Sequence, residues 1–143
     1  EASFPEHDFL GILDADLERM AEIGRPIVEA QREQVLAAVA TGVRLTDSFG
    51  EKGLTALAVR TRRLQNEVGE HICLPVAAGG LGYDLAVLYY SKNPTTWVHS
   101  LRSNGGTDCA RLAAKMGGGG HPNAASFLAK EPVVPRSVGQ KEV

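Results

Sequence analysis

Four consecutive glycines followed by a histidine and a proline, Gly117-Gly118-Gly119-Gly120-His121-Pro122, hold the most chemistry of any stretch in this sequence. One glycine after Met116 is what a helix end needs, because a left-handed C-cap costs glycine nothing. The others exceed that need, and each surplus glycine carries a backbone-entropy cost. Close approach of backbone amides to a ligand does need them. If His121 caps a helix and Pro122 opens its first turn, free N–H groups and the positive end of the helix dipole would draw an anion there. Gly118, Gly119, Gly120 and His121 therefore read as a phosphate or carboxylate cradle, with a tight structural turn as the alternative.

Ser100-Leu101-Arg102-Ser103 is the second such stretch. It ends a predicted strand just before Gly105-Gly106, and ligands collect at strand ends of α/β sheets. Strand alternation puts Ser100 and Arg102 on one side and Trp97 and Leu101 on the other. A guanidinium there could grip a phosphate through two parallel hydrogen bonds. The alternative is an ordinary surface arginine.

Other candidates fall away. Asp14 and Asp16 are two apart on a predicted helix, diverge by about 200°, and cannot share one ion. His7-Asp8 has no partner carboxylates, and His71 and His99 are single histidines without ligand spacing. There is no nucleophile–base pairing, no P-loop and no carboxylate cluster able to hold a divalent metal. Cys73 and Cys109 have no zinc spacing and read as reduced, partly buried thiols of a cytoplasmic protein.

These residues must be positioned by a fold of modest size. The chain has 143 residues, 43% hydrophobic and 22% charged, which suits one globular domain. No apolar run approaches the roughly 20 residues that span a bilayer, and the first residues show no secretory signal. The chain begins with Glu1, which suggests excision from something longer.

Its net charge of −2 is unevenly spread. The first 41 residues are strongly acidic, while residues 92–121 set Lys92, Arg102, Arg111 and Lys115 against Asp108 alone. That local surplus suits a small anionic ligand better than a long duplex, unless the four cations are simply a solvated face.

Apolar periodicity predicts helices over 8–23 and 26–41, broken at Pro26. Val43–Phe49 and Leu54–Arg60 read as a hairpin. Asn66 is placed to cap a helix over 67–74. Asp84–Ser91 is almost wholly apolar and reads as a central strand, followed by a strand over 95–103. Thr107 would cap a helix reaching Met116, and a short helix at His121-Pro122 would give way to a last strand near 126–130. The tail from Glu131 is expected to be loosely held. The expected architecture is α/β, a mixed sheet flanked by helices behind a helical connector arm. The expected parts are an arm over 1–42, a domain over 43–131 and a tail over 132–143.

Asn66-Glu67-Val68-Gly69, Tyr83-Asp84-Leu85-Ala86, Ser100-Leu101-Arg102-Ser103, Gly117–His121 and Ala124-Ala125 follow one another with suitable gaps. Over about residues 43–130 this order resembles the DHH-associated C-terminal domain of DHH-family phosphoesterases. That family includes enzymes degrading short RNA and cyclic dinucleotides. The resemblance implies that an N-terminal domain, absent from this chain, holds the Asp-His-His motif and the manganese ions. It implies too that this domain grips the terminal phosphate and nucleotide of the substrate through Arg102 and Gly118–His121, with Ser100 and Asn66 as neighbours. Ser126 departs from the pattern, since the family usually has a glycine after Ala124-Ala125.

The chain is thus expected to be the substrate-binding half of a phosphodiesterase of the oligoribonuclease or cyclic-dinucleotide type, not catalytic alone. It would carry no cofactor of its own and bind a nucleotide or short single-stranded RNA, without a membrane. The alternatives are a stand-alone nucleotide- or nucleic-acid-binding regulatory module, and a homodimerisation module whose glycine loop is purely structural.

Overall fold

The computed structural model describes residues 29–134, and the chain forms two compact units, Glu1–Gln34 and Val35–Val143. Residues 29–34 are helical and exposed. The helix expected over 8–23 lies outside the described residues. The helix described over 29–40 (α1) ends where Thr41 Oγ donates to Ala38 O at 2.7 Å.

The second unit is built on a mixed sheet of six strands. They are β1 (Val43–Thr46), β2 (Thr55–Arg60), β3 (Leu85–Asn93), β4 (Thr96–Arg102), β5 (Gly119–His121) and β6 (Ala124–Ala129), in spatial order β1-β2-β3-β4-β6-β5. Only β2 and β3 run parallel; the crossover between them carries helix α2 (Gln65–Cys73), as a parallel pair requires. Helix α3 (Cys109–Lys115) joins β4 to the β5–β6 hairpin. The α/β class and the mixed sheet between helices are as the sequence predicts.

Alternation sorts the strands onto two faces. Leu85, Val87, Tyr89, Trp97, Leu101 and Phe127 pack with Leu112 and Ala113 of α3. Leu57, Val59, Ala86 and Leu88 pack with Val35 and Ala38 of α1 and with Val68 and Ile72 of α2. Val68 and Ile72 are fully buried, and each contributes on the order of 2 kcal/mol. β3 is covered on both faces, which is why its sequence is an apolar run without alternation.

Four local expectations are corrected. β1 stops at Thr46, short of Phe49, because Asp47 and Phe49 are left-handed (φ 52° and 55°). Asp47 Oδ1 accepts from Gly53 N–H at 2.7 Å across that loop, and the Phe49 ring meets Phe127 edge-on at 5.8 Å. The α2 cap is Leu64, itself left-handed, so Asn66 lies inside the helix and caps nothing. The α3 cap is Asp108, not Thr107, with its side chain accepting from Arg111 N–H. His121 and Pro122 open no helix. His121 ends a strand, and the chain turns tightly into β6.

The residues after β6 are held as far as Val134. Val134 is buried and Val133 N–H donates to His99 Nε2 at 3.0 Å, so these two depart from the loose tail expected from Glu131. His99 is buried, stacked between Phe127 at 4.6 Å and Tyr89 at 5.9 Å. Burial pushes its imidazolium down from 6.5 to about 4. A basic group with a lowered folded-state pKa contributes stability above its unfolded value and loses it as pH falls through the folded one. Stability should therefore drop by about 3 kcal/mol between pH 6.5 and 4 through this residue. Urea unfolding across that range checks this: His99→Phe should flatten the slope, and an equally steep slope would show that His99 does not cause it.

Candidate functional site

The strand register decides what the sheet brings together. Arg102 pairs with Ala124, and Ala124 pairs with His121. Directly opposed residues of antiparallel strands share a face, so Arg102, Ala124 and His121 form one row on the α2 face. Two interstrand spacings put the Cα atoms of Arg102 and His121 about 10 Å apart, with the small Ala124 between them. The next row on the same face is Ser100, Ser126 and Gly119.

Arg102 is half-buried and its methylenes lie over Gly69 of α2. A Cβ on Gly69 would stand 2.8 Å from Arg102 Cγ. That close approach explains a glycine in mid-helix, which otherwise costs about 1 kcal/mol against alanine. The guanidinium donates through Nη1 to Leu101 O at 3.2 Å, while its Nε–H is buried without a partner. A buried unpaired donor is expensive.

Beside Arg102 is a cavity of ≈ 170 Å³ lined by Asn66, Gly69, Glu70, Cys73, Leu74, Ser103 and Asn104. Asn66 and Arg102 therefore meet in one cavity, although Asn66 does so from inside the helix. Ser100 is buried one row back, and His121 is exposed two strands away; neither lines the cavity. Gly69, Glu70, Ser103 and Asn104 were not foreseen as lining it. A glycine at an interior helix position was the one signal that could have pointed to Gly69.

Ser103 couples the two motifs. Its Oγ donates to Thr107 O at 2.7 Å, and its N–H donates to Asn123 O at 3.2 Å in the turn after His121. Cys109 N–H reaches Pro122 O at 2.8 Å. The hairpin turn is thus tied to the loop that follows Arg102.

The four glycines divide by role. Gly117 is left-handed (φ 85°) and ends α3, with Gly118 N–H donating to Ala113 O at 2.8 Å. A Cβ on Gly118 would meet Ser126 O at 2.1 Å, and one on Gly120 would meet Ala125 Cα at 2.5 Å. Packing therefore requires two of the four, and the left-handed backbone requires a third at Gly117. Gly119 has nothing within 4 Å and sits on the edge strand, where part of the backbone hydrogen-bonding capacity faces away from the sheet. The helix-dipole cradle is not what these residues build, because no helix starts at His121.

The basic surplus is also smaller than its count. Arg111 donates to Glu51 through Nη1 at 3.1 Å and Nη2 at 2.9 Å, and Lys115 pairs with the same carboxylate. Those contacts, Arg111 first, hold the Glu51 carboxyl down at about 2. Of the four cations, Arg111 and Lys115 are thus spent on Glu51. Cys73 and Cys109 are unbridged and buried, and burial pushes the Cys73 thiol up to about 12. Among the described residues no group of three His, Cys, Asp or Glu could hold a metal, and no helix is long and apolar enough to cross a membrane.

No protein-family model and no curated protein matches the sequence. Similar solved structures include an uncharacterized protein from Helicobacter pylori G27, at 19% identity and a TM-score of 0.44 over 70% of this chain and 25% of that one. A pGpG-specific phosphodiesterase from Vibrio cholerae is similar at 13% identity and a TM-score of 0.44, over 91% of this chain and 47% of that one. An exopolyphosphatase-related protein from Bacteroides fragilis is similar at 18% identity and a TM-score of 0.44, over 87% of this chain and 38% of that one. The chain spans between 25% and 47% of the length of these three proteins.

Proposed function

We propose that this chain is the DHH-associated, substrate-gripping part of a metal-dependent phosphodiesterase acting on nucleotides or short oligoribonucleotides. The observation that carries the reading is the Arg102–Ala124–His121 row. A fixed cation and an imidazole share one face, and the small residue between them leaves room for a phosphate. The Arg102 guanidinium, on the wall of the cavity, adds charge-assisted donors. Glu70, on the wall of the same cavity, supplies an acceptor for a ribose hydroxyl. In this reading metal chemistry belongs to a separate domain. This chain supplies position and charge to the phosphate.

The structural roles of Gly117, Gly118 and Gly120 favour a second reading, in which the glycine loop serves the hairpin alone. Titration of the chain with adenosine monophosphate, followed by amide NMR, separates the two. Shifts confined to Arg102–Asn104, Gly119–His121 and Asn66–Glu70 are expected. Unmoved amides at millimolar ligand would leave the hairpin-only reading standing.

A further inference from the structure

The α2 face of the sheet continues beyond the Arg102 row. Tyr90 pairs with Val98, and Val98 pairs with Leu128, so these three form another row on that face. Two pairs of residues along β4 separate it from Arg102, roughly 13 Å. α2 covers β3 and the near part of β4, whereas Ser126 and Leu128 of β6 are exposed, Leu128 at 58%. The Arg62 guanidinium lies over the Tyr90 ring, 4.7 Å from its centroid. Arg62, Arg63 and Lys92 are exposed, and none has an acidic partner among the described residues.

An apolar strip beside unpaired cations, continuous with an anion-binding row, matches a nucleic-acid strand better than a protein partner. Bases offer flat apolar faces to Leu128 and Val98, and the backbone offers charge to Arg62. A single nucleotide held by its phosphate at Arg102 does not reach this row, whereas two or three linked nucleotides do. We infer that Tyr90, Val98 and Leu128, with Arg62, form a sequence-tolerant second subsite for the following nucleotides of a single-stranded oligonucleotide. This inference rests on the reading of Arg102 as the phosphate grip.

The test measures binding of adenosine monophosphate and of a phosphorylated five-nucleotide oligoadenylate to the full 143-residue chain. The oligomer should bind about tenfold more tightly than the monomer, from added apolar contact with Leu128 and Val98 and a phosphate contact at Arg62. Leu128→Ser combined with Arg62→Ala, both at exposed positions, should erase that gain and leave monomer binding unchanged. The same variant should also flatten the salt dependence of oligomer binding. Equal affinity for both ligands, or a gain that survives in the double variant, overturns the subsite. Displacement of the oligomer by a poly-glutamate peptide at equal charge would overturn it in favour of an acidic-peptide surface. The phosphate grip itself fails in a different way: Arg102→Ala then leaves monomer binding as it was, and the subsite falls with it.

Discussion

Gly118→Ala should destabilise the fold by about 3 kcal/mol, the upper part of the range for overpacking a filled site. The new Cβ would stand 2.1 Å from Ser126 O and 2.7 Å from Phe127 Cβ. Neither neighbour can give way cheaply. Ser126 O belongs to the β6 backbone, and Phe127 is buried in the α3-side core against His99. Relief requires moving β6 away from the end of α3, which disturbs Phe127, Ala125 and the Arg102–Ala124–His121 row together. Gly119→Ala one residue on is the matched control. Nothing lies within 4 Å of its Cβ position, and open surface sites of this kind change stability by about 0.5 kcal/mol or less. Under the proposed function, that methyl would stand over the open backbone and weaken nucleotide binding by about tenfold without touching the fold. Urea midpoints of the two variants, read beside their affinities for adenosine monophosphate, make the comparison. Equal stability losses at both positions would contradict the packing geometry. An undiminished affinity in Gly119→Ala would assign the whole glycine run to the hairpin.

The second large effect is expected at Arg102. Arg102→Ala removes the one cation of the row, and with it charge-assisted hydrogen bonds worth about 1.5–3 kcal/mol each. Affinity for adenosine monophosphate should fall by roughly 100-fold. Stability should fall by only about 1 kcal/mol, from lost methylene packing over Gly69. In an enzyme containing the metal-binding domain, the change should appear mainly as a raised KM. Arg102→Lys should recover little, because an ammonium is a point charge and lacks the planar fork. His121→Ala should cost less, about tenfold, since the imidazole is exposed and solvent competes for it. Calorimetric titration of the three variants supplies the ranking. A His121 effect exceeding that of Arg102 would invert the assignment of the grip.

Much of this arrangement was legible in the residues. The apolar run Leu85–Tyr89 announced a strand buried on both faces, since only a central strand tolerates five apolar residues without alternation. Period-two spacing placed Ser100 and Arg102 opposite Trp97 and Leu101, and the structure keeps that division. The turn at Gly50–Gly53 was legible, though not its extension back to the left-handed Asp47 and Phe49, because ring packing on Phe127 overrides local preference there.

The Gly117–His121 block was misread locally for a related reason. Glycine followed by His-Pro fits a helix start as well as a tight turn, and nothing nearby in the chain breaks the tie. Distant groups break it: Ser126 O, Phe127 and Ala125 leave no room for side chains at Gly118 and Gly120. Charge counting failed likewise, since Glu51 lies 60 residues from Arg111 in sequence and pairs with it in space.

By itself, then, the sequence determined most of the strands and helices outside the Gly117–Pro122 block, which side of a strand Arg102 faces, and that an arginine and a histidine stand near glycines. These follow from periodicity and residue chemistry, which act over a few neighbouring positions. Only the tertiary structure decided that Arg102 and His121 share a row, that Gly69 makes space for the arginine stem, and that Arg111 and Lys115 are spent on Glu51. Those outcomes depend on strand register and on contacts between residues far apart in the chain. Register is set by the simultaneous packing of both faces of the sheet, which no local pattern encodes.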